Sequence, residues 1–273
     1  MRFLCLLLIT AFFASGTPAR AQVENFIDVC GNPDADPRDV IDFCQRAIDT
    51  GKLGPQAEAQ VRINKGIGYF EIGEYSSAVG EYTLAIDISP DMIAAYLNRA
   101  KAFEKQKRLQ DAALDYQAAI ELDPNAADAY LGRGAMLLKH GDANRAVSDL
   151  TAAMGLQPAW IAPVFNRGVA YLRLAQFAAA ETDFTTVIQR NPDDAGAFLN
   201  RGRARGEMGK AEAVEDFDTA VQLDPEWAGA WFARGRYRDK LGDREGANAD
   251  FRRAWELGYP DPWLIKRMRE ISG

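Results

Sequence analysis

A strict spacing of prolines constrains the fold more than any other feature of this sequence. The prolines at 90, 124, 158 and 192 are each 34 residues apart, and Pro225 follows after 33. Small residues recur in a matching phase, at Gly66, Ala100, Gly134, Gly168, Gly202 and Gly235. A fixed period of this length indicates supersecondary units that must stack, because one unit cannot bury its apolar face alone. The sequence therefore predicts an array rather than a compact globule.

Counting from Ala59 as position 1 gives six repeats, each predicted to contain two helices. They are 59–92, 93–126, 127–160, 161–194, 195–227 and 228–261, the fifth being one residue short at its internal turn. The first helix pairs an apolar residue at position 4 with the small residue at position 8, on one helix face. A turn that often contains glycine follows (Gly73, Gly141, Gly209, Gly242), and the second helix carries a large apolar residue at position 24.

This pattern resembles the tetratricopeptide-repeat (TPR) family over residues 59–261. The resemblance implies an all-α superhelical solenoid of about six helix-turn-helix repeats, with a concave groove lined by the first helices. Residues 22–58 are predicted to form an N-terminal cap that contains a half-repeat helix at 38–50. Residues 262–273 are predicted to form a C-terminal capping helix with Asp261 as its N-cap. Arg205 and Arg238 depart from the family pattern, since position 11 is usually a large apolar residue.

The first 21 residues are predicted to be a signal peptide. Arg2 precedes an apolar run at 3–13 that is too short to span a bilayer, and Ala19-Arg20-Ala21 provides small residues for cleavage. An uncleaved anchor is the alternative. Exported TPR proteins with a similar two-cysteine N-terminal segment occur in Gram-negative bacteria, so the resemblance implies a periplasmic protein cleaved near Ala21.

Two cysteines, Cys30 and Cys44, remain after cleavage. An even count in an exported chain predicts a disulfide, which would close a loop of about 15 residues and contribute about 3 kcal/mol. A redox pair is the alternative, but the spacing is not C-x-x-C and no basic setting would lower a thiol pKa.

Charge and the scarcity of reactive side chains exclude several functional classes. The formal net charge of −7 becomes more negative once Arg2 and Arg20 are removed, which argues against nucleic-acid binding and against more than indirect membrane contact. His140 is the single histidine, in a predicted surface turn, so no metal site can be assembled around it. No glycine-rich phosphate loop is present. We therefore expect no catalytic residue, no metal and no cofactor: the protein is predicted not to be an enzyme.

Two charged ladders follow the repeats. Position 7 is basic in all six, at Lys65, Arg99, Arg133, Arg167, Arg201 and Arg234 (the basic ladder). Position 23 is acidic in all six, at Glu81, Asp115, Asp149, Asp183, Asp216 and Asp250 (the acidic ladder). Matching phase favours ion pairs between first and second helices. The alternative is that the basic ladder binds an acidic ligand.

By resemblance, positions 2, 5, 6, 9, 12 and 13 of the first helices (the groove positions) face the concave groove. The candidate peptide-binding residues are the asparagines Asn64, Asn98, Asn166 and Asn200, the apolar residues Leu97, Leu131, Phe165, Leu199 and Phe232, and the cations Lys101, Lys105, Lys139, Arg173, Arg203 and Arg236. In some members of the family such asparagines grip a peptide backbone, since an amide both donates and accepts hydrogen bonds. The other interpretation is that asparagine is simply frequent at this position.

These observations predict a non-enzymatic adaptor of the cell envelope that binds a protein or peptide segment in the groove. A slight excess of cations at the groove positions predicts a neutral-to-acidic segment. The alternative is a structural assembly component that acts through self-association or contacts at its edges.

Overall fold

The structure is a computed structural model that describes residues 18–272, and the helices in that range confirm the all-α class. Residues 1–17, most of the predicted signal peptide, lie outside the described residues. The chain divides into two compact units, residues 1–136 and 137–273. Within each unit, consecutive helices pack against one another as TPR-like helix pairs.

The first unit contains six complete helices and most of a seventh. They are α1 (Pro18–Cys30), α2 (Pro37–Asp49), α3 (Pro55–Glu71), α4 (Tyr75–Ile88), α5 (Ile93–Lys105), α6 (Leu109–Leu122) and α7 (Ala127–Lys139). The second unit continues with α8 (Ala143–Leu156), α9 (Ile161–Arg173), α10 (Phe177–Arg190), α11 (Ala195–Glu207), α12 (Ala213–Leu223), α13 (Ala228–Lys240), α14 (Arg244–Glu256) and α15 (Pro262–Ser272). The one-residue deletion in the fifth repeat accompanies a shorter second helix, α12.

Close approach at position 8 holds the two helices of a repeat together. A Cβ atom added at Gly168 would lie 2.9 Å from the Phe184 ring, and one added at Gly235 would lie 2.7 Å from the Phe251 ring. Both rings occupy position 24 of the same repeat and are fully buried. The small residue therefore lets the aromatic ring pack directly on the first-helix backbone, as the sequence predicts.

The turn between the two helices uses a left-handed residue at position 15 of every repeat. Four repeats have glycine there, with φ between 72° at Gly209 and 96° at Gly141. Lys107 and Ala175 occupy the same position with φ of 61° and 55°. A side chain makes this conformation costly, so these two turns carry strain that the glycine turns avoid.

The N-terminal cap is larger than the predicted half-repeat, because α1 precedes and packs against α2. The predicted Cys30–Cys44 disulfide is confirmed, with both cysteines buried and their Cα atoms 4.9 Å apart. Val40, Cys44 and Ala47 are buried on one face of α2, with the spacing that the second helices use at positions 20, 24 and 27. The α1–α2 pair therefore acts as an irregular additional repeat.

The C-terminal end is closed by α15. The Asp261 Oδ1 atom accepts a hydrogen bond from the Leu264 backbone N–H at 3.0 Å, which confirms Asp261 as the N-cap. Leu264 is fully buried, and the Trp263 ring centroid lies 5.1 Å from that of Phe251. The C-terminal end is thus closed by an aromatic cluster, whereas the N-terminal cap is closed by a disulfide.

Candidate functional site

The basic ladder is bonded inside the repeats. The Arg99, Arg167 and Arg234 guanidinium groups each donate two hydrogen bonds to the position-23 aspartate of their own repeat. The shortest N···O distance in such a pair is 2.6 Å, between Arg234 and Asp250. Lys65–Glu81 and Arg201–Asp216 are also ion pairs. The predicted pairing of first and second helices is therefore present.

The same basic residues also reach the second helix of the preceding repeat. Arg99 donates to Thr83 Oγ1 at 3.0 Å, Arg167 to Thr151 Oγ1 at 3.2 Å and Arg234 to Asp218 Oδ1 at 2.8 Å. Arg133 donates to Gln117, and Lys65 donates to Gln45 of α2. Each of these side chains therefore links its own helix to an earlier one.

The two arginines that depart from the family pattern enter the same network. Arg205 lies 2.8 Å from Glu181 and 3.0 Å from Asp216, while Arg238 lies 3.1 Å from Asp250. They replace apolar packing at position 11 with ion pairs to the acidic ladder.

Protonation equilibria agree with this internal role. The side-chain hydrogen bonds that Arg167 donates to Asp183, together with the negative charge of that carboxylate, raise the pKa of Arg167 despite partial burial, and Asp115 does the same for Arg99. Desolvation favours a higher pKa for Glu181, but the hydrogen bonds from Lys210 and Arg205 outweigh it and leave the pKa below its usual value. Because these cations are already bonded to carboxylates, the basic ladder is poorly placed to bind an acidic ligand.

In the first unit, the groove positions are partly closed. The Asn64 side chain is 2% exposed and accepts a hydrogen bond from Gln60 at 3.0 Å, while Asn98 is 6% exposed. The segment that follows Cys30 lines a small cavity beside Asn64. Leu97 and Leu131 are half-buried, whereas Lys101 and Lys105 are exposed. The two asparagines are therefore not open to a ligand in this structure.

In the second unit, more groove positions reach the surface. Asn166 and Asn200 are half-buried, as are Phe165 and Phe232, while Lys139 is exposed. Leu199 is only 1% exposed and belongs to a core cluster with Phe217. Its side chain therefore serves packing.

Two open pockets connect the groove positions of the second unit. One, of about 560 Å³, is lined by Arg173, Asn200 and Arg203. The other, of about 460 Å³, is lined by Arg203, Phe232 and Arg236. Because Arg203 and Glu207 line both, the two pockets form one surface (the second-unit groove).

The cations of this groove contact neutral groups. Arg203 donates to Asn200 Oδ1 at 3.3 Å, Lys240 donates to the Gly206 carbonyl at 3.2 Å, and Arg173 donates to the Leu138 carbonyl. The Arg236 guanidinium lies 4.5 Å from the Trp263 ring centroid. Desolvation lowers the pKa of Arg203, although the residue is exposed, but an arginine stays protonated at neutral pH.

Sequence reasoning missed several lining residues of the 460 Å³ pocket. Tyr259 follows the last repeat helix, and its ring centroid lies 4.7 Å from that of Phe232. Tyr237 and Ala233 also line the pocket. One feature of the sequence could have indicated this pocket. Ala233 interrupts the series of asparagines at position 6, so the pocket wall lacks a polar side chain at this position.

Other chemistry is sparse in the part of the chain that the structure describes. His140 is exposed in the turn after α7. Between residues 18 and 272, no group of His, Cys, Asp and Glu side chains is arranged to hold a metal ion. None of the described helices has both the length and the apolarity needed to cross a membrane.

Comparisons with known proteins identify TPR repeats in two segments. Residues 105–141 match a TPR repeat model, and residues 165–205 match a second tetratricopeptide-repeat model. Comparison with curated protein sequences gives no match. These two segments of the chain therefore match TPR repeats.

Solved structures share the fold at low sequence identity. A tetratricopeptide repeat protein from Parabacteroides merdae is 19% identical, with a TM-score of 0.67 over 92% of this chain and 97% of that one. PilW, described as a widely conserved type IV pilus biogenesis factor, is 17% identical, with a TM-score of 0.68 over 77% and 98%. YrrB, described as a TPR protein with an unusual peptide-binding site, is 24% identical, with a TM-score of 0.57 over 69% and 97%.

Proposed function

We propose that this protein is a non-enzymatic adaptor that binds a polypeptide segment on the groove positions of its repeats. The observation that carries the proposal is the second-unit groove, where Asn200, Phe232 and three arginines line connected open pockets. The basic ladder is bonded inside the repeats, so the groove supplies the charged and amide groups available to a partner. YrrB, a protein of similar fold, is described as having a peptide-binding site.

The bound segment is neutral to acidic, because the groove cations outnumber the carboxylates around them. Carboxylates in the partner would be attracted by the local field although the whole chain is acidic. In this proposal the half-buried Asn166 and Asn200 form hydrogen bonds with the backbone of such a segment.

The proposed site of action is the periplasm of a Gram-negative cell, after cleavage near Ala21. This part of the proposal rests on the sequence of residues 1–21 and on the disulfide, which is typical of an oxidising compartment. Fractionation of cells that produce the untagged full-length chain, followed by N-terminal sequencing, tests it. A mature chain beginning at Gln22 in the periplasmic fraction is expected, and retention of Met1 in the cytoplasm would refute export.

Site-specific photo-crosslinking in the cell envelope tests groove binding. A photoreactive amino acid replaces Glu207, which lines both pockets. In a matched variant it replaces Gln189, which is exposed on α10, the second helix of the fourth repeat. We expect a discrete adduct from position 207 and none from position 189. Adducts from position 189 alone would instead favour the assembly component that acts through its outer surfaces.

A further inference from the structure

Two groups of arginines in the second unit differ in their partners. Arg167, Arg201 and Arg234 each contact an aspartate of the acidic ladder within 2.8 Å. By contrast, the described contacts of Arg203 and Arg236 are with an amide oxygen and an aromatic ring. The first group stabilises the helix pairs, whereas the second group offers positive charge that no carboxylate of residues 18–272 neutralises through an ion pair.

Carboxylates within the pocket leave this charge largely unbalanced. Asp239 already lies 3.8 Å from Arg267. Glu207 is exposed and lines both pockets, whose walls also include Arg173, Arg203 and Arg236, so the second-unit groove has three guanidinium groups beside this one remaining carboxylate. An anionic partner would therefore gain attraction that the protein itself does not satisfy.

The wall beneath these cations is apolar and aromatic. Phe232, Tyr237 and Tyr259 line the 460 Å³ pocket, and the first and last of these rings lie 4.7 Å apart. Gly206 lets the Tyr237 ring pack closely on the backbone of α11, since an added Cβ there would lie 2.9 Å from that ring, and the small side chain of Ala233 also lines the pocket. A pocket of this volume accommodates a bulky group, and aromatic walls favour an aromatic one through offset or edge-on ring packing.

We infer that the second-unit groove binds an acidic polypeptide segment that inserts one aromatic side chain against Phe232 and Tyr259 while its flanking carboxylates contact Arg203 and Arg236. This inference rests on the proposed function and specifies the chemistry of the partner. The aromatic anchor supplies desolvated contact area, and the two arginines select flanking negative charge.

Three capped synthetic heptapeptides test this binding mode with the full-length mature protein. The first has glutamate around a central phenylalanine, the second replaces the phenylalanine by alanine, and the third replaces every glutamate by glutamine. In fluorescence anisotropy at low salt we expect the first peptide to bind at least about tenfold more tightly than either of the others. Equal affinity for the glutamate and glutamine peptides would overturn the inference but leave polypeptide binding by the groove intact.

Protein variants locate the site. Arg203→Gln with Arg236→Gln should weaken binding of the first peptide at least about tenfold, whereas Arg244→Gln with Arg252→Gln, which removes the same charge from exposed residues of α14, should change it less than about twofold. Ala233→Leu fills the pocket without changing charge and should reduce the affinity to that of the alanine peptide. Circular dichroism checks that each variant is folded. Unchanged affinity in both the double arginine variant and Ala233→Leu would overturn the inference.

Discussion

The two units are built from the same repeat but use its groove positions differently. In the first unit Asn64 and Asn98 are buried, and position 24 of repeats one and two is tyrosine, at Tyr82 and Tyr116. In the second unit Asn166 and Asn200 are half-buried, and position 24 of repeats four to six is phenylalanine. An aromatic ring at position 24 thus pairs the helices in both units, while the exposure of the groove positions and the closure of the two ends differ.

Loss of the aromatic cluster at the C-terminal end should lower the free energy of unfolding more than loss of the disulfide at the N-terminal end. Phe251→Ala removes a fully buried ring that contacts Phe232 and Trp263, and it leaves a cavity under α15. We expect the free energy of unfolding to fall by about 3–5 kcal/mol, measured by urea denaturation. Hydrogen exchange should show lost protection in α13–α15, with α2–α4 unchanged.

A uniform loss of protection across both units would contradict this local effect. Phe251→Leu is the matched control, because it keeps most of the apolar volume and should cost less than about half as much.

The disulfide at the N-terminal end should have the next largest effect on the free energy of unfolding. Replacing Cys30 and Cys44 by serine removes the link between α1 and α2, and we expect a loss of about 3 kcal/mol. Hydrogen exchange should increase at α1 and around Asn64, since the segment after Cys30 lies beside this asparagine. The wild-type protein treated with a reductant should behave alike, and an unchanged unfolding midpoint in both would refute a stabilising role.

Much of the helix pairing was predictable from the sequence, because it repeats in phase. The position-7 cations and position-23 carboxylates, the glycine turns and the disulfide needed only comparison of one repeat with the next and a count of the cysteines. The burial of Asn64 and Leu199 could not be predicted in this way, since it depends on which neighbouring residues cover them. The pocket at Phe232 was predicted only in part, because Tyr259 lies in the last few residues of the sixth repeat and reaches the pocket only through the course of the chain after α14.

The strained turns provide a matched pair of stabilising substitutions, one in each unit. Lys107→Gly and Ala175→Gly should each raise the free energy of unfolding by about 1 kcal/mol, because both positions have positive φ. Gln106→Gly, one residue earlier and at φ −80°, is the control and should destabilise. Thermal unfolding measures all three, and a lowered midpoint for both turn variants would contradict the assignment of strain.

Alkaline pH should produce the smallest change in the free energy of unfolding, through two tyrosines of the first unit. Burial, reinforced by the charge of Glu71 for Tyr82 and of Glu104 for Tyr116, raises the pKa of both phenols above the ordinary value of 10.0. The unfolded chain therefore releases these protons at lower pH than the folded one, so this stability is full below pH 10 and is lost as pH rises further. At pH 10 the loss is about 0.4 kcal/mol per tyrosine.

Absorbance titration of the phenolate measures this effect. Tyr82 and Tyr116 should stay protonated below the unfolding transition of the wild type, and Tyr82→Phe with Tyr116→Phe should lower the number of tyrosines that ionise only on denaturation by two. Titration of every tyrosine near its ordinary pKa in the folded protein would contradict the burial of these two rings.

The basic ladder bonds to two second helices at once, and this has a consequence for how repeats can be added to such a chain. Arg99, Arg167 and Arg234 each have one acceptor in their own repeat and another on the preceding second helix, which is threonine for the first two and aspartate for the third. A duplicated unit that brings its own arginine and aspartate would thus find compatible neighbours at either junction. Adding whole repeats would therefore require no change to the residues at the junction. A repeat that lacked the arginine–aspartate pair would leave a weaker junction, at which unfolding would begin.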